Sequence, residues 1–370
     1  MKIGIDCRLW SEAGVGRYIR NLVKNLAEID FENEYFLFLL KKNIKQNLPD
    51  KFHLVEADFS WYTVDEQLKF PKLLSKYKLD LMHFPHFNVP VFYKRNFVVT
   101  IHDLIHQHFK MERATTHGPL VYKVKQFAYK QVFSHAIKKS KKVITVSDYV
   151  KKQLETEWHV NSSKIVVTKE AAEETISELY KRMTPQGVNQ VLKKFEIDKP
   201  YIFYIGNAHP HKNVEGLIKS FLELRKNYQS LKLVLAGNDH YFWQRIKQEY
   251  KNPDIIYTDF VTDIELVGLY KGAEVYVVPS FEEGFGIPLL EAFTCEVPVV
   301  SSKLGSLQEV GGDAALYFDP YNIHDMADKI MAVLNDKKLA KALTEKGQKK
   351  QGEYSWLKLA EETKNLYQNS

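Results

Sequence analysis

The sequence of 370 residues contains only two cysteines, Cys7 and Cys295, and they lie far apart in the chain. Two such residues offer neither a disulfide framework nor the ligand spacing of a zinc site. The chain also lacks a run of about 18 apolar residues and a signal-peptide core near its first residue. These absences argue against a disulfide-stapled scaffold and a membrane span, and they predict a protein of the reducing cytoplasm.

Charge of one sign is not in large excess either. The 52 Lys and Arg against 46 Asp and Glu leave a net charge of +6, which is too small over this length to indicate a nucleic-acid binder. The 45% hydrophobic and 13% aromatic content is that of a folded protein. At about 100 to 200 residues per domain, the length favours two domains.

The apolar residues are grouped in short runs that alternate with longer stretches of helical periodicity. This alternation is typical of a parallel sheet covered by helices. In the first half we expect strands at 3–6, 35–40, 79–83, 97–101 and 143–146. In the second half we expect them at 201–205, 231–236, 255–257, 275–278 and 298–300. The sequence therefore predicts an α/β protein with two doubly wound, Rossmann-like domains, each binding ligands at the carboxyl ends of its strands.

The charged and weakly periodic segment 169–199 carries Pro185 and is the best candidate for the connection between the domains. We accordingly assign residues 1–170 to the first domain and 171–350 to the second. The tail after residue 317 shows helical spacing, and a helix within 351–370 could pack back on the first domain.

A glycine-containing turn, Gly14-Val15-Gly16, follows the first predicted strand and precedes a helical run. Glycines let a backbone approach a ligand closely, and a helix amino terminus offers N–H groups to an anion. The third glycine of the dinucleotide fingerprint is missing, so an ordinary tight turn explains the motif equally well. A dinucleotide-dependent oxidoreductase, which would need the complete fingerprint, is disfavoured for the same reason.

A second turn, from Gly206 to Asn213, follows the first predicted strand of the second domain. Lys212 lies there at the start of a helix, where a lysine is well placed to meet a phosphate as a point charge. A solvent-exposed lysine beside an N-cap asparagine is an equally weighted alternative. His209 and His211 form a His-x-His pair, which without further spaced ligands is more often a surface feature than a metal site.

The densest signal lies between residues 279 and 292, where a strand, a glycine-rich turn and a helix follow one another. The backbone N–H groups of this turn could bind a diphosphate at the helix amino terminus. Glu283 lies before the helix and Glu291 about one turn inside it, so one carboxylate could hold ribose hydroxyls and the other the group beyond the phosphates. Acidic residues also stabilise a helix start by about 0.3 to 1 kcal/mol each without any ligand. The turn residues predicted to bind the ligand are Gly284, Phe285, Gly286 and Ile287.

Glu283, seven intervening residues and Glu291 resemble the E-x7-E motif of the retaining glycosyltransferases of family GT4, which have the two-domain GT-B fold. Further segments occur in the family's order: GVGRY at 14–18, FVVTIHDL at 97–104, VITVSD at 143–148 and the turn at 206–213. Each segment alone is weak, but the ordered set is specific and covers nearly the whole chain. The resemblance implies two Rossmann-like domains that face a central cleft.

The resemblance also implies roles for single residues. In relatives, the glutamate that matches Glu291 binds the ribose of a nucleotide sugar, and the one that matches Glu283 binds the transferred sugar. The matching amino-terminal glycines approach the diphosphate, the lysine that matches Lys212 neutralises it, and the histidine that matches His102 contacts the donor sugar. The implied catalytic residues are His102 and Glu283, and the implied donor contacts are Gly14, Gly16, Asn207, Lys212, Val261 and Glu291, together with the turn 284–287.

Two further features narrow the expected chemistry. Many family members carry an arginine directly after the glycine of the Gly206 turn, whereas this chain has Asn207, so Lys212 would carry more of the diphosphate charge. The segment 209–213 is most similar to the mannosyltransferase-like branch, which favours GDP-mannose as the donor. No Asp-x-Asp occurs in the chain, so we expect transfer with retention of anomeric configuration, without a bound metal and without a cofactor.

Six histidines between His83 and His117 suggest a rival interpretation, a metal-dependent hydrolase. Their spacings match no familiar zinc signature, and His83 and His102 follow predicted strands, where a substrate cleft alone would explain them. A UDP-sugar epimerase would share the GT-B fold and is a second alternative.

Lysine and arginine are concentrated from Lys110 to Lys152, where eleven of them accompany two acids. A solvated helix face is the simpler explanation. The sharper one is an amphipathic surface that meets anionic lipid, where a lipid-linked acceptor would be reached. The sequence thus predicts a cytoplasmic hexosyltransferase for a glycan or lipid-linked acceptor in cell-surface polysaccharide synthesis, with peripheral contact at the inner face of the membrane as an option.

Overall fold

The computed structural model describes residues 1–46, 48–109, 119–237 and 241–370. These residues form two compact units. Within the described ranges, unit 1 contains residues 1–104, 119–170 and 355–370, and unit 2 contains residues 105–109 and 171–354. Each unit is built around one parallel sheet.

Unit 1 has seven described strands. They are β1 (Lys2–Asp6), β2 (Glu34–Leu39), β3 (Phe52–Glu56), β4 (Leu81–Phe84), β5 (Phe97–Ile101), β6 (Val143–Thr145) and β7 (Ile165–Val167). They pair in the order β3-β2-β1-β4-β5-β6-β7. The helices, numbered in chain order, are α1 (Gly14–Ile29), α2 (Val64–Ser75), α4 (Pro119–Lys139), α5 (Asp148–Glu157) and α15 (Trp356–Gln368). Strand β5 is buried along its whole length, as expected where helices cover both faces of a parallel sheet.

Unit 2 has six described strands. They are β8 (Tyr201–Ile205), β9 (Lys232–Ala236), β10 (Ile255–Asp259), β11 (Val275–Val278), β12 (Val299–Ser302) and β13 (Ala315–Phe318). They pair in the order β10-β9-β8-β11-β12-β13. The helices are α3 (Ile105–His108), α6 (Glu174–Arg182), α7 (Pro185–Lys194), α8 (Val214–Leu224), α9 (Tyr241–Glu249), α10 (Asp263–Gly272), α11 (Ile287–Thr294), α12 (Leu307–Gly311), α13 (Ile323–Asn335) and α14 (Lys337–Gln351).

In both sheets the strand order reverses beside the first strand of the unit. Strand β1 lies between β2 and β4, and β8 lies between β9 and β11. The connections on the two sides of such a point leave towards opposite faces of the sheet, which opens a crevice at the carboxyl ends of the strands. The prediction of two doubly wound α/β domains is therefore confirmed, and the loops after β1, β8 and β11 lie where folds of this class bind ligands.

The segment 169–199, predicted as a connection between the domains, is instead mostly helical. It contains α6 and α7 of unit 2, and the chain passes from unit 1 to unit 2 between Glu170 and Ala171. Apolar residues at helical spacing form a buried face of α7. One of them, Val191, packs so closely on α10 that a Cβ atom at Gly268 would lie 2.7 Å from its Cγ2. The charged residues that suggested a linker thus cover the outer face of packed helices.

The sequence does not predict three of the strands, β3, β7 and β13. Strands β3 and β7 form the two edges of the sheet in unit 1, and β13 forms an edge in unit 2. Each of them has at most two buried residues. An edge strand is covered less than a central one, so its sequence lacks the continuous apolar run that identified the other strands.

Helix α15 belongs to unit 1 although it follows unit 2 in the chain. It packs along α1 and buries Trp356, Leu359 and Tyr367. The hydroxyl of Tyr367 lies 2.6 Å from Nδ1 of His83 in β4. The last helix therefore supplies part of the core beneath the sheet of unit 1.

Candidate active site

The loop after β1 carries the two glycines expected to approach a diphosphate. A Cβ atom at Gly16 would lie 2.7 Å from the carbonyl oxygens of Leu9 and Trp10, so the packing of the loop itself requires glycine there. At Gly14, none of the described residues outside its immediate neighbours lies within 4 Å of the corresponding position. Helix α1 begins at Gly14, and no described side chain caps it at Ala13. The open side of this loop is therefore at Gly14.

A buried ion cluster fixes the same loop. The guanidinium of Arg8 donates to both carboxylate oxygens of Asp6, at 2.8 and 2.7 Å, and its Nη2 lies 2.7 Å from Oε1 of Glu66. The side-chain amide of Asn88 donates to the same Glu66 carboxylate at 2.7 Å. The charges of Arg8, Asp6 and Glu66 are thus satisfied among themselves, and they join the loop after β1 to α2 and to the loop after β4.

His102 lies directly after β5, with 15% of its side chain exposed. Its Nε2 donates to the carbonyl oxygen of Pro85 at 3.0 Å, and its Nδ1 lies 3.5 Å from Oε1 of Glu170. The ring of Tyr18 packs edge-on against it, with the centroids 4.9 Å apart. Burial acts to lower the pKa of His102, but the hydrogen bond and the charge of Glu170 outweigh burial and raise that pKa. The sequence analysis singled out His102 but missed Glu170.

The turn after β8 is ordered by its own side chains. The Oδ1 of Asn207 accepts a hydrogen bond from the backbone N–H of His209 at 3.2 Å, and the Asn207 carbonyl accepts one from the Tyr204 hydroxyl at 2.7 Å. A single 3-10 turn at 210–212 follows, and Asn213 then takes the left-handed conformation with φ of 53°. The side chain of Asn207 thus shapes the turn that presents the following lysine.

Lys212 and Glu283 are brought together in unit 2. The Nζ of Lys212 lies 2.7 Å from both carboxylate oxygens of Glu283. The hydroxyl of Ser280, which sequence reasoning missed, donates to Oε1 of Glu283 at 2.6 Å. The side chains of Lys212 and Glu283 are 18% and 12% exposed, so the pair is shielded from bulk water yet reachable from outside. We call these three residues the Glu283 cluster.

The turn between β11 and α11 is held by its neighbours. Gly286, the N-cap of α11, has φ of 105°, a conformation that favours glycine. The hydroxyl of Ser306 donates to the backbone carbonyls of Glu283 and Phe285, at 3.0 and 2.8 Å. The side chains of Phe285 and Ile287 are buried, so only their backbone can face a ligand. Within the described chain, no side chain caps α11, which leaves its amino terminus to a ligand or to water.

Glu291 lies further along α11 and is only 2% exposed. Its Oε2 accepts a hydrogen bond from the hydroxyl of Tyr270 at 3.4 Å. Burial, followed by the neighbouring Tyr276 and Glu291, raises the pKa of Tyr270, so this phenol remains a donor at neutral pH. Val261 is half-buried in the loop between β10 and α10.

The residues that sequence analysis selected lie at the carboxyl edges of the two sheets. In unit 2, Asn207 and Lys212 follow β8, Val261 follows β10, and the turn 284–287 follows β11. In unit 1, the glycine loop follows β1 and His102 follows β5. Because the strands of each sheet are parallel, each set belongs to one edge of its own unit.

Residues 105–109 contribute a contact to unit 2 that sequence reasoning did not foresee. The Nδ1 of His108 lies 2.9 and 2.8 Å from the two carboxylate oxygens of Glu282. Phe109 stacks on Phe281, with the ring centroids 6.4 Å apart. The residue directly before Glu283 is thereby anchored. The only sequence signal was a His-x-His spacing, which the analysis assigned to a possible metal cluster.

The histidines between residues 83 and 117 do not gather around one point in the described chain. His83 bonds to Thr100 and Tyr367 in unit 1, whereas His108 pairs with a carboxylate in unit 2. Among the residues that the structure describes, no three or more His, Cys, Asp or Glu side chains form a group that could hold a metal ion. His117 lies outside the described residues. The hydrolase alternative therefore has no ligand set in the part of the chain that can be inspected.

The basic region from Lys110 to Lys152 is described only in part, because residues 110–118 lie outside the described residues. Within α4, Phe133 is fully buried whereas Phe127 is 65% exposed, so the aromatics of this region divide between core and surface. No helix in the described ranges combines the length and apolarity needed to cross a bilayer.

Two family models match successive parts of the chain. The model described as Glycosyltransferase Family 4 matches residues 13–169, and the model described as Glycosyl transferases group 1 matches residues 189–350. Among curated proteins, the O-antigen chain mannosyltransferase B of Escherichia coli is 31% identical over 304 residues, which cover 80% of this chain and 75% of that protein.

Solved structures agree in fold at low sequence identity. Anabaena Alr3699/HepE in complex with UDP-glucose superposes with a TM-score of 0.77 at 15% identity, over 100% of both chains. WaaG, a glycosyltransferase involved in lipopolysaccharide biosynthesis, gives a TM-score of 0.75 at 14% identity, over 99% of both chains. Fold and site together define a glycosyltransferase of the GT-B class. The chain belongs to the group 1 glycosyltransferases, family 4, so the resemblance noted in its sequence is confirmed.

Proposed function

We propose that this glycosyltransferase moves a hexose, with mannose favoured, from a nucleotide-diphosphate sugar to a glycan or lipid-linked acceptor in cell-surface polysaccharide synthesis. Family membership supports the transfer reaction, and the similarity to an O-antigen mannosyltransferase supports GDP-mannose as the donor. The observation that carries the proposal is the Glu283 cluster beside the glycine turn at the start of α11.

The diphosphate of the donor would lie between Lys212 and the amino terminus of α11. Backbone N–H groups and the positive end of the helix dipole favour an anion there. Negative charge grows on the diphosphate as its bond to the sugar breaks, and donors that are already in place stabilise this charge without reorganising. Gly14 would let the loop after β1 approach the same group, and Gly16 would keep that loop compact.

Donor binding would give Lys212 a new partner. Its ammonium bonds to the Glu283 carboxylate in the structure, and a diphosphate, with its higher charge, would compete for it. Glu283, still bonded to Ser280, would then accept hydrogen bonds from hydroxyls of the transferred sugar. The more deeply buried Glu291 would accept hydrogen bonds from the ribose.

The reaction would retain the anomeric configuration. The acceptor oxygen forms its bond to the anomeric carbon on the face from which the diphosphate departs. The bond from that carbon to the diphosphate oxygen breaks, and the acceptor proton passes to a diphosphate oxygen. This route uses Glu283 to orient the sugar and not as a nucleophile, and the absence of an Asp-x-Asp motif agrees with transfer without a metal. Loss of turnover on chelation that Mg²⁺ or Mn²⁺ restores would refute metal independence.

Unit 1 would receive the acceptor and contribute His102 to the donor sugar. The basic region from Lys110 to Lys152 would bring the enzyme to anionic lipid at the inner face of the membrane, in keeping with the cytoplasmic location expected from the sequence. Flotation with neutral and anionic vesicles tests this part. Equal binding to both kinds of vesicle would contradict it.

A thermal-shift comparison of GDP-mannose, UDP-glucose and ADP-glucose tests the donor. A ligand present at 100 times its Kd stabilises the folded chain by about 2.7 kcal/mol, so the true donor class should raise the Tm most. NMR of the product then reports the anomeric configuration. Isomerisation of a UDP-sugar without an acceptor would instead identify the epimerase alternative.

Two substitutions test the division of roles. Glu291→Ala should weaken nucleotide binding about 10- to 100-fold, because hydrogen bonds to charged groups are worth about 1.5 to 3 kcal/mol. His102→Ala should leave nucleotide affinity within about twofold and lower kcat. Calorimetric titration and steady-state kinetics measure the two quantities, and Glu28→Ala, on the exposed face of α1, is the control. Equal losses of affinity and turnover in both variants would contradict the assignment.

A further inference from the structure

Two buried histidines lie one strand apart in unit 1, and their surroundings differ. His83 in β4 has neutral partners: its Nδ1 lies 2.6 Å from the Tyr367 hydroxyl and its Nε2 lies 2.8 Å from the Thr100 hydroxyl. Burial, followed by the neighbouring His102, lowers the pKa of His83 to about 3, so this ring is neutral. His102, after the adjacent strand β5, faces the Glu170 carboxylate instead. The contrast isolates the effect of that carboxylate.

The partners of His102 fix a hydrogen on each ring nitrogen. The carbonyl oxygen of Pro85 can only accept, so Nε2, 3.0 Å away, carries a hydrogen. An ionised carboxylate also can only accept, so Nδ1, 3.5 Å from Oε1 of Glu170, carries the second hydrogen. A ring with both hydrogens is an imidazolium cation. Glu170 is itself only 7% exposed, and a buried carboxylate is stable only beside such a cation.

The remaining titratable groups around His102 support the same charge state. Asp103, the next residue, adds negative charge on the side of Glu170. His83, from β4, is neutral, and burial raises the pKa of the Tyr18 hydroxyl from α1, so neither group carries a charge at neutral pH. Glu170 is therefore the main source of the field that keeps His102 protonated.

The two residues come together through the topology of the sheet. Glu170 follows β7 and His102 follows β5, so both lie at the carboxyl edge of unit 1. Glu170 is also the last residue before the chain passes into unit 2.

We propose that Glu170 is a positioning residue that holds His102 as an imidazolium with both N–H groups directed. His102 is then a hydrogen-bond donor in sugar transfer and cannot act as a base, because neither nitrogen retains a lone pair to accept a proton. The Nε2–H is engaged by Pro85, whereas the long contact from Nδ1 to Glu170 leaves room for a shared hydrogen bond to a sugar hydroxyl. This role at the sugar rests on the proposed function, but the charge state of His102 does not.

An NMR titration of the full chain labelled with ¹⁵N-histidine tests the charge state directly. The His102 signal is assigned by its loss in His102→Gln. We expect an imidazolium at pH 7 in the unsubstituted chain. In Glu170→Gln the proton affinity of His102 should fall at least tenfold, a shift of its midpoint by at least one pH unit. Glu28→Gln removes an equal charge from an exposed site of α1 and should leave the midpoint unchanged.

The transferase assay separates positioning from a purely structural role. Glu170→Gln should lower kcat about tenfold with the donor KM within twofold, and it should move the alkaline fall of activity to lower pH. Glu170→Asp, which keeps the charge, should restore the imidazolium and part of kcat.

A neutral His102 at pH 7 in the unsubstituted chain, or a midpoint that Glu170→Gln does not move, would overturn the proposal. If Glu170→Gln does not fold, the titrations of the unsubstituted chain and of Glu170→Asp decide. If no nucleotide sugar is bound or transferred, the proposed function fails, while the titration still decides the charge of His102.

Discussion

The carboxylate of Glu283 is bonded from two sides by groups of different chemistry. Lys212 provides a charge that a diphosphate would share, whereas Ser280 provides a neutral hydroxyl from the same turn as Glu283. The serine contact is therefore the one that persists when a donor is bound. Ser280 is 1% exposed, so its hydroxyl has little competition from water.

Replacing Ser280 with alanine should lower kcat about 10- to 100-fold and leave the donor KM nearly unchanged. The substitution removes one hydrogen bond to a charged group, worth about 1.5 to 3 kcal/mol, and about 1.4 kcal/mol corresponds to a factor of ten in rate. Steady-state kinetics measure the effect. Ser75→Ala, which removes a hydroxyl bonded to the Lys72 carbonyl at the exposed end of α2, is the control. A raised KM with an unchanged kcat would mean that Ser280 serves binding only.

At the residue scale, the sequence predicts what is local. The spacing from Glu283 to Glu291 and the glycine turns can be recognised because their members are close in the chain. Ser280 was missed because a serine before a glycine turn has no pattern of its own. Glu170 was missed because it meets His102 only when β5 and β7 end at one edge of a sheet.

Among the elements, His83 joins three that are distant in sequence. Its ring lies in β4, and it bonds to Thr100 in β5 and to Tyr367 in α15. All three side chains are buried. A charged ring at this point would have no carboxylate partner among the contacts of His83 described above, which is why burial keeps it neutral.

The pH dependence of stability should report this neutral histidine. A histidine of the unfolded chain titrates near 6.5, whereas burial lowers the pKa of His83 to about 3 in the folded chain. Between these values the unfolded state binds the extra proton, so the free energy of unfolding falls as the pH falls, by up to about 1.4 kcal/mol per pH unit.

His83→Gln removes this titration, so the dependence of the unfolding free energy on pH between 6.5 and 4 should become weaker. Urea unfolding at several pH values measures the slope, and the slope is compared because the substitution also changes the absolute stability. His324→Gln, at an exposed site of α13, is the matched control. An unchanged slope in His83→Gln would show that the ring is protonated in the folded chain.

For the elements, the sequence predicts central strands and most helices but misjudges the segment 169–199. Central strands are buried on both faces and are recognised by continuous apolar runs. In α7 the apolar residues are spaced along one face and are outnumbered by polar ones, so the charges dominated the interpretation. Only packing on α10 reveals that this face belongs to the core of unit 2.

For the whole molecule, the described chain is divided between the units in an unequal way. Unit 2 takes the continuous stretch 171–354 together with residues 105–109, whereas unit 1 needs both early residues and residues 355–370. Two doubly wound domains could be predicted from alternating strands and helices. The separation of unit 1 into distant stretches could not, because spacing along a chain does not report which surface a helix will cover.

Removing residues 355–370 should destabilise unit 1 and leave unit 2 folded. The deletion takes away the buried side chains of Trp356, Leu359 and Tyr367, each worth about 1.5 to 3 kcal/mol, against a total stability of about 5 to 15 kcal/mol for a domain. Hydrogen exchange should show lost protection in β1, β4 and β5 but not in β8 and β11. Deletion of only Asn369 and Ser370, which spares Tyr367, is the control. Equal loss of protection in both units would contradict this account.

The late position of α15 in the chain also has a consequence for biosynthesis. A ribosome delivers residues from the amino end, and domains commonly fold as their sequences emerge. The sequence of unit 2 is complete once Tyr354 has emerged, whereas the first strands of unit 1 must wait for Tyr367. During that interval the apolar side of α1 that α15 will cover is open to chaperones and to other nascent chains. In the cell, the half that begins first is thus the half that matures last.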